Sequence, residues 1–356
     1  MLSPHAGVAG PVPKHTPLLV AALQQLGCEV QSEPWGRHAN DESLGDQVLG
    51  RARDVLALRR SVASSRFDVL VVKTSHDWRA LGRDLALVGA TRRHVRRIVV
   101  QFHGSRVERL VERGSRLFKA ASWMLFCLTD AVFVLSEEEA RLARSFYPRG
   151  RFYVVVNPFE PPTETAVPRP HTSAEGRWTI VFASRVIPEK GIFETIDAFA
   201  RLRARNQSRL VVAGDGAALP AAVRRADALG LDGDVVFTGR VDPSELAEIY
   251  DRADVFVLPT YWPEGFPTAI AEAMSAGLAI VTTRRRGIAD HLDDGTNAIF
   301  VPPRDPTAVA AAIDRILDDE DLRAAMAVAN RAKVLGFRPE HAAARYLRAL
   351  EEVVGS

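Results

Sequence analysis

Along most of this chain, short unbroken apolar runs alternate with longer segments in which apolar residues recur every three or four positions. The runs read as strands at 69–73, 98–102, 131–135, 153–156, 179–183, 209–213, 235–238, 255–258, 279–282 and 298–300. Several are apolar throughout rather than alternating, which marks parallel strands covered on both faces. The periodic segments 17–26, 137–146, 192–202, 219–228, 243–250 and 306–317 read as helices, and 345–353 as a final amphipathic one. Pro17, Pro243 and Pro306 open three of these, where a helix tolerates proline best. Alternating strands and helices predict an α/β protein built from doubly wound sheets.

The pattern breaks in the middle. Prolines 158, 161, 162, 168 and 170, with Thr and Ser and no apolar period, read as an interdomain linker. The expected organisation is a first domain over 1–158, a linker over 159–177 and a second domain over 178–338. A terminal helix over 339–356 is free to pack back on the first domain. The 356 residues suit two domains. A doubly wound domain opens with a strand, a Gly-rich turn and a helix. Here the turn (Gly7, Gly10) follows only Met1-Leu2-Ser3-Pro4. The first strand is therefore expected to be missing or very short, as if the recorded start lay a few residues late.

Composition adds two things. The net charge of +2 hides a local surplus: residues 51–120 carry 17 Lys or Arg against 6 Asp or Glu. That is either an Arg-rich solvated surface or a basic face that approaches anionic lipid or an anionic acceptor. Nucleic acid is not expected, because no recognition motif accompanies the charge. The most apolar stretch, 120–128, is too short to span a bilayer. It reads as a buried helix, with monotopic membrane contact as the alternative. Cys28 and Cys127, far apart and outside any CxxC, read as buried thiols of a reducing compartment. No secretory leader is evident, so a cytoplasmic protein is expected, with room for peripheral contact at the inner face of the membrane.

The segment Pro263-Glu264-Gly265-Phe266-Pro267-Thr268, leading to Glu272, carries the chemistry. It follows the apolar run 255–258, so Glu264 belongs on a loop at a strand's C-terminal end, with Glu272 inside the next helix. Free N–H groups at that helix start suit phosphate or a developing negative charge. Each carboxylate can accept hydrogen bonds from ligand hydroxyls. Together they point to a ligand with both hydroxyls and phosphate.

Four blocks then resemble the retaining glycosyltransferases of family 4, with their two-domain GT-B fold. They are Phe182-Ala183-Ser184-Arg185-Val186-Ile187-Pro188-Glu189-Lys190-Gly191, Val212-Ala213-Gly214-Asp215-Gly216, Val236-Phe237-Thr238-Gly239-Arg240-Val241, and the paired-glutamate segment followed by 275–281. Gln101-Phe102-His103-Gly104-Ser105 looks like the family's His-Gly loop. The resemblance implies two Rossmann-like domains facing a central cleft, with the nucleotide-sugar donor on the second and a glycan or lipid-linked acceptor on the first. It implies that Glu264 faces the donor sugar hydroxyls and Glu272 the ribose. Arg185 and Lys190 would hold the diphosphate, and His103 would face the anomeric centre. Gly214, Gly216, Arg240 and Val241 would line the base pocket. Gly265, Phe266 and Thr268 would offer backbone amides, which Pro267 cannot do. Gly7 and Gly10 would form the glycine loop. The family usually has glycine at the position of Ser184.

Neither a metal nor a resident cofactor is implied. Asp232-Gly233-Asp234 and Asp319-Glu320-Asp321 match D-x-D formally, but one precedes a strand and the other sits in a helical region. Walker A, G-x-G-x-x-G and G-x-S-x-G motifs are absent. The reading is a retaining, metal-independent transferase of the hexosyl type, in envelope or polysaccharide synthesis. The rivals are a sugar phosphorylase, a nucleotide-sugar hydrolase or epimerase on the same fold, and a non-catalytic nucleotide-sugar-binding protein.

Overall fold

The computed structural model describes residues 1–4, 11–36, 44–161 and 176–355. The chain divides into two compact units: one holds 1–160, 263–266 and 337–356, the other 161–262 and 267–336.

The first unit runs β1 (Leu2–Ser3), α1 (Pro11–Gln25), β2 (Glu33–Pro34), α2 (Leu44–Ser64), β3 (Val69–Thr74), α3 (Trp78–Thr91), β4 (Arg97–Phe102), α4 (Glu108–Val111), α5 (Arg116–Leu128), β5 (Ala131–Val134), α6 (Glu137–Phe146) and β6 (Phe152–Val154). The sheet is parallel throughout, in the order β2-β1-β3-β4-β5-β6. The first strand exists but has two residues: Leu2 pairs with Glu33 on one side and Val72 on the other. Strand succession reverses between β1 and β3. Both faces of the central strands are covered, as their continuous apolar runs require. Leu70, Val72, Ile98 and Val100 pack into one cluster, Val71 and Val99 into another with Leu19, Leu23 and Phe133.

Three expectations change here. Helix α1 begins at Pro11, so Pro17 lies inside it rather than at its start. Pro11 and Pro13 fall in the first turn, where a missing N–H costs nothing. Pro17 withholds one internal hydrogen bond, and beside it Thr16 Oγ1 donates back to the carbonyl of Val12 at 2.8 Å. The cysteines are not buried thiols: Cys127 is exposed and Cys28 half-buried. Cys127 lies on α5, whose buried face consists of Phe118, Ser122, Leu125 and Phe126. The segment 120–128 is thus buried on one side only.

The second unit runs β7 (Trp178–Ala183), a 3₁₀ turn over Pro188–Lys190, α7 (Ile192–Phe199), β8 (Ser208–Ala213), α8 (Leu219–Ala228), β9 (Val235–Gly239), α9 (Pro243–Asp251), β10 (Val255–Leu258), α10 (Thr268–Ala276), β11 (Ala279–Thr283), α11 (Arg286–His291), β12 (Ile299–Val301), α12 (Pro306–Asp318) and α13 (Glu320–Val334). Its parallel order is β12-β11-β10-β7-β8-β9, reversing between β7 and β10. Succession leaves β7 in one direction and β10 in the other. Right-handed crossovers then send α7 and α10 to opposite faces. Accordingly α7 packs with α8 and α12, and α10 with α9 and α13. The D-x-D segments have local roles: Asp234 pairs with Arg177, and Asp319 caps α13 by accepting the N–H of Leu322 at 2.9 Å.

The last helix, α14 (Pro339–Gly355), belongs to the first unit. Tyr346 is its anchor: the hydroxyl donates to Gln101 Oε1 at 2.9 Å, and the ring meets Phe133 edge-on at 5.1 Å. Residues 263–266 also belong to this unit. Phe266 stacks on Phe337 at 4.7 Å, and Gly265 sits against Leu135.

His76 is fully buried after β3, stacked on Phe102 at 4.5 Å, with Nε2 3.0 Å from Ser122 Oγ. Burial lowers its pKa from 6.5 to about 3, with Arg106 adding to the shift and Asp77 opposing it. The unfolded chain takes up this proton near pH 6.5 and the folded one does not. Stability is therefore lost as pH falls from 6.5 toward 3, by up to about 1.4 kcal/mol per unit. In urea unfolding at pH 7 and pH 4.5, His76→Phe should lose less stability between the two than the parent. Equal losses would show that His76 titrates in the fold as it does in the open chain.

Candidate active site

In α/β sheets a ligand crevice forms at the C-terminal strand ends where strand order reverses. In the second unit that point lies between β7 and β10. The loop after β7 carries Arg185 and Lys190; the loop after β10 leads through Trp262 toward Glu264 and into α10.

These two loops are locked together. The carbonyl of Glu189 accepts from Tyr261 N–H at 2.9 Å, Trp262 N–H at 3.1 Å and Thr260 Oγ1 at 3.2 Å. Gly191, at φ +84°, lies so close that a Cβ there would meet Pro259 Cγ and its carbonyl oxygen at 2.6 Å. Lys190 is buried and Arg185 exposed, its guanidinium 5.3 Å over the Trp262 ring. The structure thus fixes the Arg185–Lys190 turn against the start of the loop that bears Glu264.

Gly214 and Gly216 hold a third loop, after β8, on the same turn. A Cβ at Gly214 would stand 1.9 Å from the Ser184 carbonyl oxygen; at Gly216, 2.3 Å from that of Val186. Val186 N–H donates to Asp215 O at 2.9 Å and Ala218 N–H to Val186 O at 3.0 Å. These glycines are needed for loop packing whatever else they line. Arg240 and Val241 follow the edge strand β9. Arg240 is exposed, and the Gly239 carbonyl before it accepts from Gly214 N–H at 2.8 Å.

Glu272 lies on α10 and is half-buried. Tyr250 of α9 donates to its Oε2 at 3.2 Å. Burial, with Glu272 beside it, holds the Tyr250 hydroxyl well above the usual phenol range, so Tyr250 remains a donor. Thr268 opens α10, and Pro267 before it makes no side-chain cap. The sequence reading missed Tyr250 and Trp262, since nothing in spacing links them to the motifs.

The first unit has its own reversal point, between β1 and β3. Gly7 and Gly10 lie outside the described residues. Beyond β4, His103 donates its N–H to the carbonyl of Thr74 at 2.8 Å. His103 is half-buried as a residue, but both ring nitrogens are inside and have no hydrogen-bond partner among the described residues. Lys73, at the end of β3, is 1% exposed and donates to Thr16 Oγ1 at 3.3 Å. Burial lowers its amine to about 7. His15 falls to about 4 through burial and Lys73. His103 is held well below 6.5, by burial first and then by Lys73 and His15. The site thus favours neutral imidazole. Lys73 was legible in one respect: it is the sole charge in an otherwise apolar strand, near its C-terminal end.

A cavity of about 780 Å³ in this unit, lined by Leu2, Leu23, Leu58, Val69 and Leu350, lies at the N-terminal strand edge, away from these groups. Among the described residues no group of three or more His, Cys, Asp or Glu is placed to hold a metal ion.

Comparison with known proteins places the chain. Residues 14–161 match the family model Glycosyltransferase Family 4, and residues 164–333 match Glycosyl transferases group 1. The GDP-mannose-dependent alpha-(1-6)-phosphatidylinositol monomannoside mannosyltransferase of Mycolicibacterium smegmatis is 30% identical over 299 residues, 78% of this chain and 76% of that protein. The alpha-D-kanosaminyltransferase of Streptomyces kanamyceticus is 32% identical over 154 residues, 43% of this chain and 40% of that protein. The chain spans less than half the length of the first curated relatives it matches. In fold it is similar to Anabaena HepE, solved with UDP and glucose, at a TM-score of 0.75 and 18% identity over 99% of this chain and 98% of that one. The chain belongs to the group 1 glycosyl transferases of the family 4 type, and its two sheets are the paired Rossmann-like sheets of the GT-B fold.

Gly214→Ala should cost on the order of 3 kcal/mol in urea unfolding, because backbone blocks the added methyl. Gly230→Ala is the control, since φ is also positive there (+64°) but the space is open. Equal costs would show that conformation alone, not the approach to Ser184, fixes Gly214.

Proposed function

We propose that this chain is a retaining, metal-independent glycosyltransferase. It moves a hexosyl group from a nucleotide-diphosphate sugar to a lipid-linked, polysaccharide or small-molecule acceptor. The observation that carries this reading is the locked pair of loops at the β7/β10 reversal, which sets Arg185 and Lys190 beside the start of the Glu264 loop.

In this reading Arg185 and Lys190 bind the diphosphate and stabilise the charge that grows on it as it leaves. The first amides of α10 and its dipole add to that field. Glu264 accepts from donor sugar hydroxyls and Glu272 from the ribose. Tyr250 keeps the Glu272 carboxylate in place. Gly214, Gly216, Arg240 and Val241 border the base, and Gly265, Phe266 and Thr268 supply amides. Neutral His103 hydrogen-bonds the donor sugar near its anomeric carbon without adding a charge there. The acceptor oxygen attacks C1 from the face the diphosphate leaves. The bond from C1 to the phosphate oxygen breaks, the acceptor bond forms, and the acceptor proton passes to the departing phosphate. Configuration is retained without a protein nucleophile.

The relatives point two ways for the base: one is named for GDP-mannose, and HepE was solved with UDP. A thermal-shift screen of UDP-, GDP- and ADP-sugars decides between them. The right donor at about 100 times its dissociation constant should add about 2.7 kcal/mol. With that donor, Lys190→Ala and Glu264→Ala should each lower turnover roughly 100-fold or more. Unchanged turnover in both would remove the site assignment. Sugar release without any acceptor would mark a hydrolase, and a requirement for inorganic phosphate would mark a phosphorylase.

A further inference from the structure

Helix α5 is apolar on both sides. Its inner face, Phe118, Ser122, Leu125 and Phe126, packs into the first unit. On the outer side Leu117, Ala120, Trp123, Met124 and Cys127 recur at three- and four-residue spacing and are exposed. Leu117 is 76% exposed, Trp123 53% and Met124 47%. Arg116 and Lys119 on the same helix add charge beside this apolar stripe, which makes the outer side amphipathic. Two further exposed apolar side chains, Val111 at 48% and Trp78 at 46%, lie on α4 and α3, helices that pack against α5. Among the described residues, ten large hydrophobic side chains are exposed, and five of them lie here. The patch is therefore a concentration, not scatter.

Its rim is basic. Residues 106–119 hold Arg106, Arg109, Arg113, Arg116 and Lys119 against Glu108 and Glu112. Lys119 Nζ donates to the Glu112 carbonyl at 2.6 Å, which ties this rim to the helix. No helix among the described residues is long and apolar enough to cross a membrane, so any lipid contact here is at the surface.

We propose that the outer face of α5, with its basic rim, docks on an anionic lipid surface. The apolar stripe would enter the headgroup region, Trp123 and Trp78 would sit at the interface, and the arginines would meet lipid phosphates. Charge complementarity selects this occupant. A second copy of the chain, docking the same face on itself, would bring two basic rims together. The inference stands on exposure and charge and does not depend on the transfer reading.

The test is co-sedimentation of the full chain with vesicles of phosphatidylcholine alone and of phosphatidylcholine with phosphatidylglycerol. Binding is expected only to the second, and it should weaken at high salt. The triple variant Leu117→Ser/Trp123→Ser/Met124→Ser, and separately Arg113→Glu/Arg116→Glu, should each lower it at least about tenfold. All these side chains are exposed, so melting temperature should hold. Nucleotide-sugar shifts should also hold, so a failure here is separable from a failure of the transfer assignment. The proposal is overturned by absence of vesicle binding, by binding that ignores both variants, or by sedimentation velocity showing self-association that the serine variant abolishes.

Discussion

The reversal of strand order inside a parallel sheet is the constraint on which the candidate site depends. Right-handed crossovers leave no choice at that point: the helices after β7 and β10 must go to opposite faces. Their two preceding loops are then side by side at the C-terminal strand edge with no helix between them. The sequence uses that adjacency. One carbonyl, Glu189 O, receives three donors from the neighbouring loop, and glycines 191, 214 and 216 stand where any Cβ would strike backbone or proline. The Arg185–Lys190 turn and the first residues after β10, 259–262, are brought near by topology and held there by packing.

The two units handle charge differently. In the second, Arg185 is open to solvent and stacked on an aromatic ring, while Glu272 is half-buried and hydrogen-bonded by a tyrosine that cannot lose its proton at ordinary pH. In the first, Lys73, His15 and His103 lie together out of water, and each is pushed toward its neutral form. Such groups donate and accept hydrogen bonds without setting up a large field.

Helix α5 shows the opposite economy. Natural sequences usually agree with their fold at every level, and departures concentrate at functional places. The inner residues of α5 obey the rule; the outer ones break it together, on one stripe, beside a basic segment. Five of the 17 cations of 51–120 lie in that segment; the other twelve are spread over 51–97.

The amino-acid sequence by itself determined the architecture. Short continuous apolar runs at β3, β4, β7, β8, β10 and β11, set between helical periods, read as parallel strands covered on both sides, because a half-exposed strand would alternate. It also carried the motif residues, whose spacing put Arg185 and Lys190 after one strand and Glu264 and Glu272 after another. It could not carry what depends on distance across the chain. Tyr250 reaches Glu272 from 22 positions away, and Tyr346 reaches Gln101 from 245 away. Helix α1 ran through Pro17 because tertiary burial outweighs one lost hydrogen bond. Residues 120–128 read as buried because composition reports how apolar a helix is, not which side meets a neighbour. Local preference is written in the order of residues. Which groups share a burial environment is decided only when the strands have taken their places in the sheet.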